Sequence, residues 1–486
     1  MNKGRELLTK TAEKSAHPRE GGDPEEACPL SANRFRGGRK VSRRRARRQR
    51  FQADPRLRGD ERWKAKDMTA SLARLLKFCA AVAAAAAAAS PAAAQDMSPA
   101  SDVTRYVIDS ALLMAAGFAA LVVIAGFALR DIGMSRTQNA PQVCLRTIGA
   151  LAISVFAFWV VGYHLLFSIE SGGFLGPFQS WAPADDDPGA VGRASGAHWF
   201  FHASLAAIGA VIVSSAISER VRLWPFVFFA AIWAGLIYPI AASWVWGGGY
   251  FADEWSFRDY GGAAAVHLSA GSAALAAVIV TGPRPGRFGQ GPTRPQMSTA
   301  LPLSAFGLML SAAALIFVMI GLGGSLSSAE AAITAGVLAA NAMIASGAGA
   351  LAAMILTQTV YRRTGLVSAM TGAVAGIVSI AADPISPALW QAAMIGAIGG
   401  VIVTVTPPFL DRFRIDDAGL VVPAHCFCGA WGTIVAFWMT ERIWLPGQLL
   451  GTLATAGFSF VMSLLIWTAL KYTIGVRSAP PEAPPL

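Results

Sequence analysis

Eleven separate stretches of this 486-residue chain are apolar and about 20 residues long, and they decide most of what it can fold into. They lie near residues 106–129, 148–168, 198–217, 223–244, 261–281, 300–322, 330–360, 366–382, 388–405, 419–439 and 447–470. Wound as an α-helix, ~20 residues span the ~30 Å hydrocarbon layer of a bilayer. Lipid offers the backbone no hydrogen bonds, so only helices or closed barrels cross it, and these stretches are too long for barrel strands. Composition agrees: 54% of residues are hydrophobic, 14% are charged and the mean hydropathy is +0.48. A soluble domain cannot hide that much apolar surface. The expected fold class is therefore an all-α integral membrane protein with eleven transmembrane helices.

The net charge of +11 is not spread over those helices. Residues 1–67 hold 20 Lys/Arg against 10 Asp/Glu, and the remainder holds 20 against 19. The leader includes Arg43-Arg44-Arg45-Ala46-Arg47-Arg48 among Gly, Pro and Asp, with no apolar periodicity, and reads as disordered. A basic nucleic-acid arm is the alternative for that segment, but no nucleic-acid partner is expected for the chain. From Met68 a signal-peptide pattern follows: Arg74 and Lys77, the apolar stretch 78–89, then small residues at Ala92 and Ala94 before Gln95. The expected organisation is a leader over 1–67 from a mis-assigned translation start, a signal peptide over 68–94, a membrane domain over 95–477 and a short Pro-rich tail over 478–486. Five cysteines at irregular spacing make no disulfide framework.

Loop charges orient the helices. Alternate loops carry Arg130, Arg136 and Arg146; Arg220 and Arg222; Arg284, Arg287 and Arg294; Arg362 and Arg363; Arg412 and Arg414; and, in the tail, Lys471 and Arg477. The opposite loops carry Arg193, Arg258 and Arg442 with Asp185, Asp186, Asp187, Asp253 and Glu254. The positive-inside bias puts the N-terminus outside and the C-terminus inside, which an odd number of spans requires.

Ionisable groups inside spans are expensive and usually functional. Two spans carry a histidine in the same local frame: Val266-His267-Leu268-Ser269-Ala270-Gly271 and Ala424-His425-Cys426-Phe427-Cys428-Gly429. They recur five spans apart, which predicts two inverted five-helix repeats plus a C-terminal helix, with the functional groups meeting near the midplane. Glycine four residues on lies on the histidine's face and permits close helix approach. Two alternatives stand beside this reading: each histidine bonded singly to a carbonyl, or a metal held by His425, Cys426 and Cys428. Neighbouring positions point to different helix faces, so no metal or other cofactor is expected.

Further motifs extend the pattern. Ser218-Glu219-Arg220-Val221-Arg222 is followed by Leu236-Ile237-Tyr238-Pro239-Ile240, Trp244-Val245-Trp246-Gly247-Gly248-Gly249 and Asp259-Tyr260-Gly261-Gly262. Later come Gly372-Ala373-Val374-Ala375-Gly376 and Arg414-Ile415-Asp416-Asp417. Asp259 and Asp417 each stand eight residues before one of the histidines. Over residues 103–477 the chain resembles the ammonium transporter family (Amt/Mep, related to Rh). The resemblance implies a multi-pass protein of the bacterial inner membrane, a homotrimer with one pore per subunit, ammonium or ammonia as substrate, and no enzymatic activity. It implies that His267 and His425 are the twin pore histidines. It also implies that Trp246 and Ser325 meet incoming ammonium in an outer vestibule that Asp259 shapes. Asp259 also reads as a helix cap, and Asp416 and Asp417 read as a cap alone.

Ammonium and potassium are alike in size and charge, but only ammonium donates hydrogen bonds and can lose a proton. An aromatic face attracts a partly dehydrated cation by ~0.5–2 kcal/mol. An apolar pore then costs a bare charge at least several kcal/mol, and paired imidazoles can relay the proton. A membrane receptor that binds ammonium with little flux is the competing expectation.

The chain also departs from the family. The two phenylalanines that commonly close the outer pore fall on Leu205, with Phe201 one turn earlier, and on Gly321 or Leu322. His164 and His202 stand where Ser and Gln are usual, and are candidate extra polar pore residues. Residues 478–486 do not resemble the longer acidic tail through which a cytoplasmic nitrogen-control signalling protein would act, so that partner is left open.

Overall fold

The computed structural model describes residues 101–184, 192–288 and 298–478. The leader, the signal-peptide pattern, Asp185–Asp187, Arg294 and nearly all of the Pro-rich tail lie outside the described residues. Within them the chain is helical, and its only β pairing is an isolated bridge between Val221 and Arg477. In chain order the helices are α1 (Asp102–Met134), α2 (Thr137–Phe167), α3 (Ser195–Ala216), α4 (Leu223–Glu254), α5 (Ala263–Thr281), α6 (Leu301–Leu322), α7 (Ala329–Tyr361), α8 (Leu366–Ile380), α9 (Leu389–Arg412), α10 (Val422–Trp438) and α11 (Leu445–Thr473). Nine of these are long and apolar enough to cross a membrane among the described residues. The other two, α8 and α10, stand where spans at 366–382 and 419–439 were expected but fall in the 10–17-residue class.

Local chemistry sets the helix ends. Ser101 and Ser328 accept the amides of Thr104 (3.3 Å) and Ala331 (3.1 Å), capping α1 and α7. Proline stands in the first turn of α6 and α11, where its missing N–H costs nothing. Small residues let helices touch along their backbones. Side chains at Gly126 and Gly307 would run into the facing helix, and Ser304 and Ser311 of α6 donate to the carbonyls of Arg130 (2.9 Å) and Val123 (3.1 Å) on α1. Large side chains such as Phe306, Met309 and Leu453 face outward, as lipid contact requires.

Several arginines expected in loops are buried instead. Arg130 lies within α1 and Arg146 within α2, because both helices extend beyond the apolar stretches. Arg146 donates to the carbonyl of Ile217 (3.4 Å) and to Ser218 Oγ (3.1 Å), so it satisfies the C-terminal end of α3. Asp416 does not cap a helix. Its carboxylate takes Arg284 Nη2 at 2.7 Å and Arg284 Nε at 2.8 Å, with Arg220 at 3.5 Å and Arg287 at 3.4 Å. Asp417 is the cap, accepting from the amides of Gly419 (3.2 Å) and Val422 (2.7 Å). Burial alone would raise the Asp416 carboxyl, but the Arg284 hydrogen bonds and the Arg284 and Arg220 charges outweigh it and hold it at about 2. A folded-state value below the ordinary carboxylate value stabilises above that ordinary value and is lost as pH falls toward 2. The expected contribution at pH 7 is on the order of 2 kcal/mol. Thermal melts in detergent should therefore find Asp416→Asn less stable than wild type at pH 7, with the gap narrowing below pH 4. A gap independent of pH would contradict the assignment.

Candidate functional site

His267 and His425 meet. Their Nδ1 atoms are 3.1 Å apart, the ring centroids are 5.1 Å apart with 27° between planes, and both residues are buried. Each histidine sits in a π-helical turn at the start of its helix, Ala263–Leu268 and Val422–Phe427. Such turns widen the helix by one residue and recur at functional sites. An aspartate eight residues earlier holds each turn. Asp259 accepts the amides of Gly262 (3.1 Å), Ala264 (2.9 Å) and Ala265 (2.8 Å), and Asp417 does the same before α10. Gly262 allows this by adopting φ +85°, a conformation that side chains disfavour. The contacts are reciprocal. A Cβ at Gly271 would strike the backbone of Cys426, and a Cβ at Gly429 would stand 2.7 Å from the carbonyl oxygen of Ala263. Each glycine thus lets its own helix press against the other histidine's turn.

The neighbouring thiols take separate partners, Cys426 with Ser272 Oγ (3.5 Å) and Cys428 with the Gly399 carbonyl (3.7 Å), while His425 faces His267. The three donors diverge, and among the described residues no three His, Cys, Asp or Glu gather as a metal site would require.

Three cavities flank the pair. A wide one of about 610 Å³ is lined by Trp246, His198, His202, Asp259, Leu322 and others. Next comes an apolar one of about 10 Å³, lined by Leu205, Ile208, Val266, Leu315, Leu322 and Ile377 and reaching His267. Leu322 borders both. Beyond the imidazoles a third, also of about 10 Å³, is lined by His425, Phe127, Arg130 and Leu420. Each small cavity holds about one water-sized molecule.

A match to known proteins decides what this arrangement belongs to. The model described as the Ammonium Transporter Family matches residues 111–483. The chain belongs to the ammonium transporter family. It is 30% identical over 376 residues to a putative ammonium transporter of Synechocystis sp., covering 74% of this chain and 83% of that one. It is 29% identical over 409 residues to the ammonium transporter Amt2 of Archaeoglobus fulgidus, covering 77% and 85%. Among solved structures it resembles a Sensor Amt Protein, with a TM-score of 0.71, 25% identity, and coverage of 78% of this chain and 96% of that one. Candida albicans Mep2 shares the fold, with a TM-score of 0.68 and 23% identity over 78% of this chain and 88% of that one.

Phe201, one helical turn before Leu205, lines neither the Trp246 cavity nor the one that reaches His267. It is buried, its ring is 5.2 Å from that of His202, and its edge stands 3.1 Å from where a side chain at Gly321 would begin. Trp246 is fixed by an Nε1–H bond to the Asp259 carbonyl at 2.7 Å. Burial pushes the Asp259 carboxyl up to about 6, although the backbone amides bound to it pull the other way. That carboxylate is committed to amides, while Arg193, Arg258 and Arg442 line the same cavity. Ser325 lies elsewhere. It pairs with Ser327 (3.0 Å) and borders a separate cavity of about 320 Å³. His164 bonds Ser168 Oγ at 2.8 Å and does not line the Trp246 cavity. His202 does line it, with an Nδ1 that lacks a partner.

Sequence reasoning passed over His198. Its ring is 4.5 Å from that of His202, and its Nδ1 is 3.0 Å from Tyr163 Oη. The signal was available, since residues four apart share a helix face.

Proposed function

We propose that the chain conducts ammonium as ammonia and a relayed proton, through the conduit Trp246–Leu322–His267–His425. The observation that carries this reading is the buried 3.1 Å contact between the two imidazoles, with a cavity for one water-sized molecule on either side. A cation in the apolar cavity costs at least several kcal/mol, whereas neutral ammonia pays far less and finds a ring nitrogen at each step. The indole of Trp246 receives the substrate in the wide cavity. Aspartate, π turn, histidine and glycine recur in both halves with reciprocal contacts, which supports two inverted five-helix repeats within eleven spans, and the Lys/Arg bias of alternate loops supports an N-terminus outside. The short helices α8 and α10 belong to that count because both pack within the bundle, α8 against α7 and α9, and α10 against α5 and α8. By family resemblance the assembly is a trimer in a bacterial inner membrane.

Methylammonium uptake, in cells lacking their own ammonium transporters, tests the path. The wild-type chain should restore uptake. Leu322→Trp, which fills the junction of the two outer cavities, should lower it about ten-fold. Undiminished uptake in a folded variant would place the path elsewhere. The likeness to a Sensor Amt Protein favours a second reading, an ammonium receptor, and binding without uptake by wild type would establish it.

A further inference from the structure

A charged residue lines the cavity on the His425 side of the imidazole pair. Arg130 lines the small cavity beneath His425, near the end of α1, and is 2% exposed. Three groups hold its guanidinium. Its Cζ lies 5.6 Å from the ring centroid of Phe127, which in turn stands 5.7 Å from the His425 ring. Its Nε is 3.4 Å from Asp131, whose other carboxylate oxygen accepts from Ser215 Oγ at 2.5 Å. Its Nη2 donates to the carbonyl of Gly419 at 2.5 Å, and a side chain at Gly419 would collide with that nitrogen. Gly419 belongs to the turn that leads into α10 and His425. The next residue, Leu420, lines the same cavity and is held at φ +52°, a conformation that leucine disfavours.

We propose that Arg130 is the gating residue of the inner mouth: it latches the 417–421 turn over the passage and keeps a fixed positive charge beside His425. A cation arriving from this side meets the guanidinium's repulsion inside a dry site. Ammonia does not. Passage requires the bond to Gly419 to break and the turn to relax, and the strained Leu420 favours that release. The proposal rests on the conduit described above.

The test uses reconstituted full-length protein. Arg130→Met with Asp131→Asn removes both charges, so neither is left buried without its partner. Its ammonium flux should rise about ten-fold, the change expected for losing one charge-assisted hydrogen bond from the closed state, and potassium should begin to compete. A folded double variant with wild-type or lower flux and no potassium competition overturns the gate. Should that variant not fold, Arg130→Lys keeps the charge without the reach to Gly419; flux should rise while potassium stays excluded, and unchanged flux would overturn the proposal. Should wild type carry no ammonium, the transport reading fails by itself. Hydrogen exchange at the 417–421 amides then decides the latch: faster exchange in either variant supports it, and unchanged exchange refutes it.

Discussion

Replacing His425 with leucine should reduce methylammonium uptake about a hundred-fold at pH 6, where ammonia itself is scarce. Without the second imidazole the proton has no partner beyond His267, and the substrate must cross as a bare cation. The apolar cavity next to His267 then costs at least several kcal/mol, and each 1.4 kcal/mol is a factor of ten. The bundle should survive the change. α10 keeps its Asp417 cap and its glycine contact with α5, and the stranded ring nitrogen of His267 costs about 1–3 kcal/mol. Uptake assays beside detergent melting curves separate the two effects. A well-folded His425→Leu protein with normal uptake would remove the imidazole pair from the mechanism.

Gly271→Val should be the most damaging single change outside the histidines. Its new side chain would enter the backbone of Cys426, which cannot retreat as a side-chain tip could. Overpacking of this kind costs about 1–3 kcal/mol. It also forces α5 from α10 at the one place where the rings meet. The expected outcome is a melting temperature several degrees lower together with loss of uptake. Retained stability and uptake would show that the close helix approach is not what brings the histidines together.

These two residues mark how far the sequence was legible. The histidine–glycine frame and the aspartates eight residues earlier were visible as a repeated spacing, and in the structure the two histidines stand 3.1 Å apart while each aspartate binds the amides of its own turn. The π turns were not visible, because an α and a π turn share their apolar residues and differ only in which carbonyl each amide finds. Nine helices among the described residues coincide with apolar stretches and are long enough to cross a membrane, whereas α8 and α10 are shorter. Hydropathy counts apolar residues without knowing where the chain stops winding.

Charges were the least legible feature. Arg130 and Arg146 sit just past apolar stretches, which is where loop arginines also sit, and only partners remote in sequence, Gly419 and Ser218, distinguish the two cases. Asp416 misled for the same reason, since its partner Arg284 is 132 residues away. Ser325 lies in the aperiodic 323–328 turn, where no pattern predicts which cavity a hydroxyl faces. His198 was within reach, because its spacing from His202 is a helical one.

The most direct test of the conduit is charge movement in vesicles containing the purified chain. An ammonium jump should evoke a current in wild type, a potassium jump should evoke none, and His267→Leu with His425→Leu should abolish the ammonium response. An ammonium current of equal size in that double variant would contradict the account.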